Sequence, residues 1–242
     1  MTDLDRIAKE YHLAPQNDMF IENICQEFEL EWVKSKIQPN SKVLELGFGD
    51  GVTFRNLAPY CELSVVDGSK LIISEAKKVK EEIGTESKIY ESYFENFEPG
   101  TTYDCIFASH VLEHVVNPDL IISKLDEWLK PNGTVIIIVP NSESLHRRLA
   151  TLMGIQERLE SLSERDHLVG HLRVFNLAEL ENLLKQHGWN IEERRGFFLK
   201  PLANSQMINF DRKLVRAMCE ISDELPPEFC ANIALIVSKD KI

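Results

Sequence analysis

The stretch "KVLELGFGDG", residues 42–51, decides how this chain is read. Val43, Leu44 and Leu46 make a short apolar run, and Gly47, Gly49 and Gly51 follow at alternate positions. An apolar run of this length, bounded by glycines, has the pattern of a buried β-strand that ends in a tight turn. Glycine permits left-handed dihedrals and close approach of another molecule to the backbone. A strand that sheds its side chains at its carboxyl end therefore predicts a ligand lying against the main chain there.

The surrounding pattern supplies the sheet. A helix is predicted over residues 52–59, a strand in "ELSVVD" (62–67), and a Lys/Glu-rich helix over 69–83. "SKIYES" (87–92) and "YDCIFASH" (103–110) read as strands, 119–129 as a helix, and "GTVIIIVP" (133–140) as a fifth strand. These runs are nearly continuous in β-branched residues rather than alternating, as parallel strands covered on both faces require. Strand–helix–strand repetition with short connections implies right-handed crossovers and an α/β, doubly wound sheet. "NIEERRGFFLK" and "NIALIVSK" complete seven mostly parallel strands. Residues 4–37 read as helical, with Met19, Phe20, Ile24, Phe28 and Trp32 at helical spacing. A helix is also expected around 145–153, another over 177–187, and a third over 203–222. The division expected is a helical cap (1–40), a nucleotide-type core (41–140), and lid insertions with closing strands of the same domain (141–242).

Bulk properties narrow the partners. The 242 residues carry a formal charge of -12, which disfavours a nucleic-acid backbone or an anionic membrane. The five cysteines are widely spaced and form no CxxC, so neither a disulfide framework nor a zinc ribbon is expected. The charged N-terminus lacks an apolar signal core. The expected home is the cytoplasm. Oligomeric state is not legible.

The ligand follows from what the glycine turn lacks and what surrounds it. A dinucleotide fingerprint needs glycine at position 52, where Val52 stands. Asp67 lies 20 residues after Gly47, at the end of the next strand, where an acid accepts hydrogen bonds from a ribose diol. Glu45, Asp50 and Asp67 cluster around the crevice. Such a rim repels a pyrophosphate and suits a ligand that carries a ribose, an ammonium and a sulfonium. That ligand is S-adenosylmethionine.

Four blocks in order, "VLELGFGDG", "LSVVDGS", "YDCIFASHVLEHV" and "GTVIIIVPN", resemble those of class I, Rossmann-like S-adenosylmethionine-dependent methyltransferases of the small-molecule type. The resemblance implies a methyl transfer to oxygen or nitrogen of a small acceptor, with S-adenosylhomocysteine as product. It implies that Gly47 and Gly49 pass beneath the methionine moiety, that Gly51 also belongs to the cofactor-binding turn, and that Glu45 fixes the loop or faces the amino group. Asp67 would hold the ribose, with Gly68 and Ser69 beside the adenine. Ser92 stands where the family has an acid for the adenine amino group, so Tyr93 or Phe94 is expected to supply a stacking face or backbone donor. Ser109 and His110 would lie near the methionine end and the acceptor. A non-catalytic cofactor-binding scaffold and an NAD-dependent oxidoreductase are the alternatives.

Histidines supply the candidates for a general base. "SERDHLVGHLRVFN" (163–176) is the most chemically loaded loop, and His171 leads, followed by His110 and His146; His167 is a further candidate. His110, Glu113 and His114 are three and four apart and can share a helical face. A metal there is not expected, because spacing shows no further ligand.

Overall fold

Neighbouring residues of the predicted strands part to opposite sides of one sheet. In β1 (Lys42–Leu46), Val43 enters one core and Leu44 and Leu46 the other. In β5 (Leu129–Pro140), Ile136 and Ile138 face the first core, while Val135, Ile137 and Val139 face the second. This two-sided burial is why the strands read as continuous apolar runs. The structure is a computed structural model and describes residues 3–13 and 18–239.

The remaining strands are β2 (Glu62–Asp67), β3 (Lys88–Glu91), β4 (Tyr103–Ser109), β6 (Asn190–Phe197) and β7 (Asn232–Ser238). Their order is β3-β2-β1-β4-β5-β7-β6, with β7 antiparallel to both of its neighbours and the other pairs parallel. The first core packs under α2 (Met19–Lys36), α3 (Val52–Leu57), α4 (Lys70–Ile83) and α9 (Arg212–Glu220). The second packs under α5 (Pro118–Trp128) and α8 (Leu177–Gln186). Phe197 and Phe198 are buried in the first core, as is Trp32. Strand order reverses between β1 and β4, so the carboxyl ends of these two strands open a crevice at the switch point.

Several elements depart from the sequence reading. The N-terminal helical stretch is α1 (Asp3–Ile7), a π-helical turn at Ala8–His12, and then α2. The part of that expectation at 14–17 lies outside the described residues. The loaded loop contains a short helix, α7 (Glu164–Val169), after α6 (Leu145–Leu152). Its start is a capping box: the Asp166 amide donates to Ser163 Oγ, and the Ser163 amide donates to Asp166 Oδ2 at 2.7 Å. The S-x-x-D spacing carried that signal. Residues 203–222 split into a 3-10 turn at Asn204–Gln206, then α9, because Asp211 caps α9 through the Lys213 amide. No helix among the described residues is long and apolar enough to cross a membrane.

Candidate functional site

The glycine turn is held open by backbone bonds. Gly47 (φ +78°) donates to the Val66 carbonyl at 2.9 Å, and Gly49 also has a positive φ, +57°. A Cβ at Gly47 would meet nothing within 4 Å, and one at Gly49 would find only His12 Cε1, at 3.9 Å. The main chain there faces open space, as a ligand floor requires. Gly51 stands in a different setting. Its Cβ would lie 2.6 Å from Cζ of the buried Phe48, so packing and the left-handed start of α3 require this glycine in their own right.

Three acids surround the turn. Asp67 Oδ2 accepts from the Phe48 amide at 3.1 Å and Oδ1 from the Ser69 amide at 2.8 Å. Each oxygen keeps a second lone pair. Burial pushes the Asp67 carboxyl up. Glu45 is 3% exposed and its Oε2 has no hydrogen-bond partner. Burial first, then the charges of Asp50 and Asp67, push its carboxyl well above the usual range. An orphaned buried carboxyl beside an open glycine floor, ringed by further acids, fits a ligand that brings a cation and hydroxyl donors. The donor set thus suits the ammonium and ribose of S-adenosylmethionine.

The adenine side is redistributed. Ser69, expected beside the base, is buried: its hydroxyl accepts from Ile72 N and donates to Asp5 Oδ1 at 2.8 Å. Ser92 directs its hydroxyl to the Tyr93 carbonyl, and its amide donates to Asp67 O. Phe94 packs against the second core, whereas Tyr93 is 46% exposed, its ring 3.2 Å from where a Gly68 Cβ would lie. Tyr93 is the aromatic with a free face. Leu4 Cδ1 also approaches the Gly68 position, at 2.8 Å, so α1 covers this end.

Ser109 ends β4, and His110 follows at φ +54° with its amide on the Ile138 carbonyl. His110 Nδ1 lies 3.1 Å from Oε1 of the fully buried Glu113, which leaves Nε2 free on a side chain that is 37% exposed. Burial lowers the His110 pKa, but Glu113 outweighs it and lifts the ring to about 9. The Leu172 amide donates to the Glu113 carbonyl, so the lid loop is stitched to the turn after β4. His171 lands beside Glu113 as a result: Nδ1 is 2.8 Å from Asp166 Oδ1 and Nε2 is 3.9 Å from Glu113 Oε1. Arg173, in the same loop, donates to the carbonyls of Leu112, Val115 and Val116. Of the other histidines, His167 is exposed. His146 has a buried, unpartnered Nδ1, and burial with the charges of Lys200 and Arg147 drives its pKa to about 2. A ring that weakly basic does not take a proton near neutral pH.

Sequence reasoning missed the arginines that shut the lid. Arg165 of α7 pairs with Asp18 at 2.8 Å and with Glu22, whose other oxygen accepts from Tyr11 Oη at 2.8 Å. Arg147 of α6 donates to Asp166 Oδ2 at 2.7 Å and to the carbonyls of Leu159 and Ser161. No local spacing announces these pairs, whose partners are as many as 147 residues apart.

A family model described as "Methyltransferase domain" matches residues 12–194. The chain is 28% identical over 165 residues to the mitochondrial ubiquinone biosynthesis O-methyltransferase of Schizosaccharomyces pombe, covering 66% of this chain and 59% of that protein. It is 24% identical to the ubiquinone biosynthesis O-methyltransferase of Actinobacillus pleuropneumoniae, over 78% of this chain and 83% of that one. Among solved structures, an S-adenosylmethionine-dependent methyltransferase from Clostridium acetobutylicum shares the fold with a TM-score of 0.60, 13% identity, and coverage of 90% and 92%. The plantazolicin methyltransferase BamL, solved with a desmethyl substrate analogue and S-adenosylhomocysteine, shares it with a TM-score of 0.57, 22% identity, and coverage of 92% and 86%.

Proposed function

The chain belongs to the methyltransferase-domain family and depends on S-adenosylmethionine, and from that premise we propose that it methylates a hydroxyl oxygen of a small-molecule acceptor. The observation that carries the reading is the placement of His110 at the end of β4, held by the buried Glu113. His110 offers a free Nε2 there, beneath a lid latched by Arg165 to Asp18 and Glu22. A roof tied down on both sides suits a metabolite better than a macromolecule. The naming of the curated relatives as O-methyltransferases supports oxygen over nitrogen.

When bound, S-adenosylmethionine supplies an activated methyl group on a sulfonium. The chain's part is to bind, align and exclude water. Gly47 and Gly49 provide the floor, Asp67 the ribose acceptors, Tyr93 the stacking face, and Glu45 the counter-charge for the ammonium. Ser109 and His110 border the acceptor, and His110 Nε2 orients its hydroxyl. The five cysteines are buried thiols, which suits a reducing compartment, and we place the protein in the cytoplasm.

Incubation with labelled cofactor and a panel of ring hydroxyls, aliphatic hydroxyls and matching amines tests the acceptor. Hydroxyl compounds are expected to yield S-adenosylhomocysteine at rates at least tenfold above the amines. Faster turnover of the amines would overturn oxygen transfer, and no product above background with any acceptor would favour a scaffold.

Glu45 makes a separate prediction. Burial raises the Glu45 carboxyl well above its usual range and an arriving cation lowers it again, so cofactor binding should be linked to release of a proton from this group. Calorimetry in buffers of different ionisation enthalpy should show that release for the native chain and not for Glu45→Gln. The variant should also bind about tenfold more weakly, the loss of one ionic hydrogen bond. Equal proton release by both proteins would remove Glu45 from this role.

A further inference from the structure

Two strands run off the carboxyl edge of the sheet into strained backbone. Among the described residues, four that are not glycine have a positive φ. Asn40 and Asn132 are asparagines, which tolerate that conformation. The other two, His110 (φ +54°) and Phe198 (φ +65°), follow β4 and β6 directly. Asn232 of β7 pairs with Pro140 of β5 and with Phe197 of β6, so β6 ends level with β5 on the edge that carries His110. A bulky residue in the left-handed region is costly and persists only where its surroundings hold it. The Phe198 ring is buried, its carbonyl accepts from the Ala231 amide at 2.8 Å, and the Leu199 amide donates to the Met218 carbonyl at 2.9 Å. Those bonds fix the path of the chain into Lys200.

Lys200 is half-buried, and among the described residues its Nζ has no hydrogen-bond or ion-pair partner. The charges near it are already matched. Glu22 accepts from Arg165, Asn204 and Tyr11, and Arg147 is paired with Asp166. The titratable groups that face Lys200 are Glu22 and Cys25 of α2, His146 and Arg147 of α6, and Arg165 of α7. Loss of solvent first, then the charge of Arg165, outweighs Glu22 and Cys25 and brings the amine to about 8. An amine so placed is neutral part of the time near physiological pH and then offers a lone pair. The imidazoles of the crevice are otherwise engaged. Glu113 lifts the His110 ring to about 9, so near neutral pH it already carries its proton. His114 and His171 gather around the same carboxylate. Burial takes His114 to about 4, and His171 sits between Asp166 at 2.8 Å and Glu113 at 3.9 Å. His12 stands over Gly49, at the cofactor floor.

We propose that Lys200 takes the proton from the acceptor hydroxyl during methyl transfer, an inference that rests on the reading of oxygen transfer. The O–H bond breaks as its proton passes to Nζ, which becomes an ammonium. The oxygen pair set free forms the new C–O bond, and the pair of the breaking C–S bond stays on sulfur, which ends as a thioether. The ammonium then gives its proton to water. Because the neutral amine must form first, turnover rises with pH through about 8 and levels above it. His110, already charged, orients the hydroxyl without competing for its proton.

The test uses the full chain with its cofactor and the hydroxyl acceptors it turns over. Lys200→Met should lower kcat on a weakly acidic hydroxyl by about a hundredfold or more and erase the rise through about pH 8. Lys200→Arg keeps a cation but cannot give up its proton, and should be equally poor. S-adenosylhomocysteine affinity and circular dichroism should stay native in both. A nitrophenol acceptor, ionised before it binds, should be methylated by Lys200→Met within about threefold of the native rate, since no proton remains to be taken. Trace acetylation against pH, read by mass spectrometry, needs no turnover: Lys200 should ionise at about 8 and the exposed lysines at about 10.4. Native kcat in folded Lys200→Met overturns the inference. So does native kcat in Lys200→Arg, where charge alone would suffice, and so does a Lys200 that ionises with the exposed lysines. A native chain that methylates amines and no hydroxyl loses the oxygen-transfer reading and this inference with it. A chain whose Lys200→Met variant methylates hydroxyls at the native rate loses this inference alone.

Discussion

Asp67→Ala is expected to weaken binding of S-adenosylhomocysteine by about a hundredfold while leaving the chain folded. The carboxylate does two jobs. It accepts the Phe48 and Ser69 amides, which hold the glycine turn and the start of α4 in place, and it keeps lone pairs for a ribose diol. A hydrogen bond to a charged group is worth roughly 1.5–3 kcal/mol, so losing one or two of them in the complex gives about 3 kcal/mol. Each 1.4 kcal/mol is about tenfold in affinity. Asp67→Asn should fall between, because its amide keeps one acceptor oxygen and sets an NH₂ group against the second backbone donor. Calorimetric titration reads the affinity, and circular dichroism confirms the fold. An alanine variant that is folded and binds as tightly as the native chain would sink the ribose assignment.

Arg147→Ala is expected to produce the largest loss of stability of any single charge deletion in the lid. The guanidinium side chain is 8% exposed and Asp166 9%. Removing the arginine leaves a buried carboxylate and two carbonyls, of Leu159 and Ser161, short of a donor. Breaking one side of a buried ion pair costs about 3–5 kcal/mol. In a chain of this size that lowers the thermal midpoint by roughly 10 °C. Arg147→Lys should recover less than half of it, since one ammonium reaches the carboxylate but cannot serve both carbonyls as a planar fork does. Because Asp166 also orients His171, the alanine variant should raise the acceptor KM more than it changes cofactor affinity. A midpoint within one or two degrees of native, together with an unchanged KM, would show that the pair holds nothing in place.

Much of the sheet was legible because its signal is local. Parallel strands buried on both faces must be apolar at consecutive positions, and β1, β2, β4 and β5 announce themselves that way. The glycine turn and Asp67 were legible for the same reason, since the turn needs glycine and the acid sits at the end of the adjacent strand. Finer assignments were not legible where one residue could serve two neighbours. Ser69 has the chemistry to meet an adenine, yet it caps α4 and binds Asp5. Gly51 has the spacing of a ligand glycine, yet its lack of a side chain makes room for Phe48. Choosing between such uses requires knowing what packs alongside.

The sequence by itself determined the architecture and the methyl donor. Those follow from periodicity, glycine placement and the sign of the nearby charge. Only the tertiary structure decided which side chains meet across the lid. The Glu113–His114–His171 cluster, the Arg165 latch and the Arg147–Asp166 pair each join residues brought together by chain reversal. Their energy depends on distance, burial and the absence of water, and those quantities exist only once the chain has closed on itself.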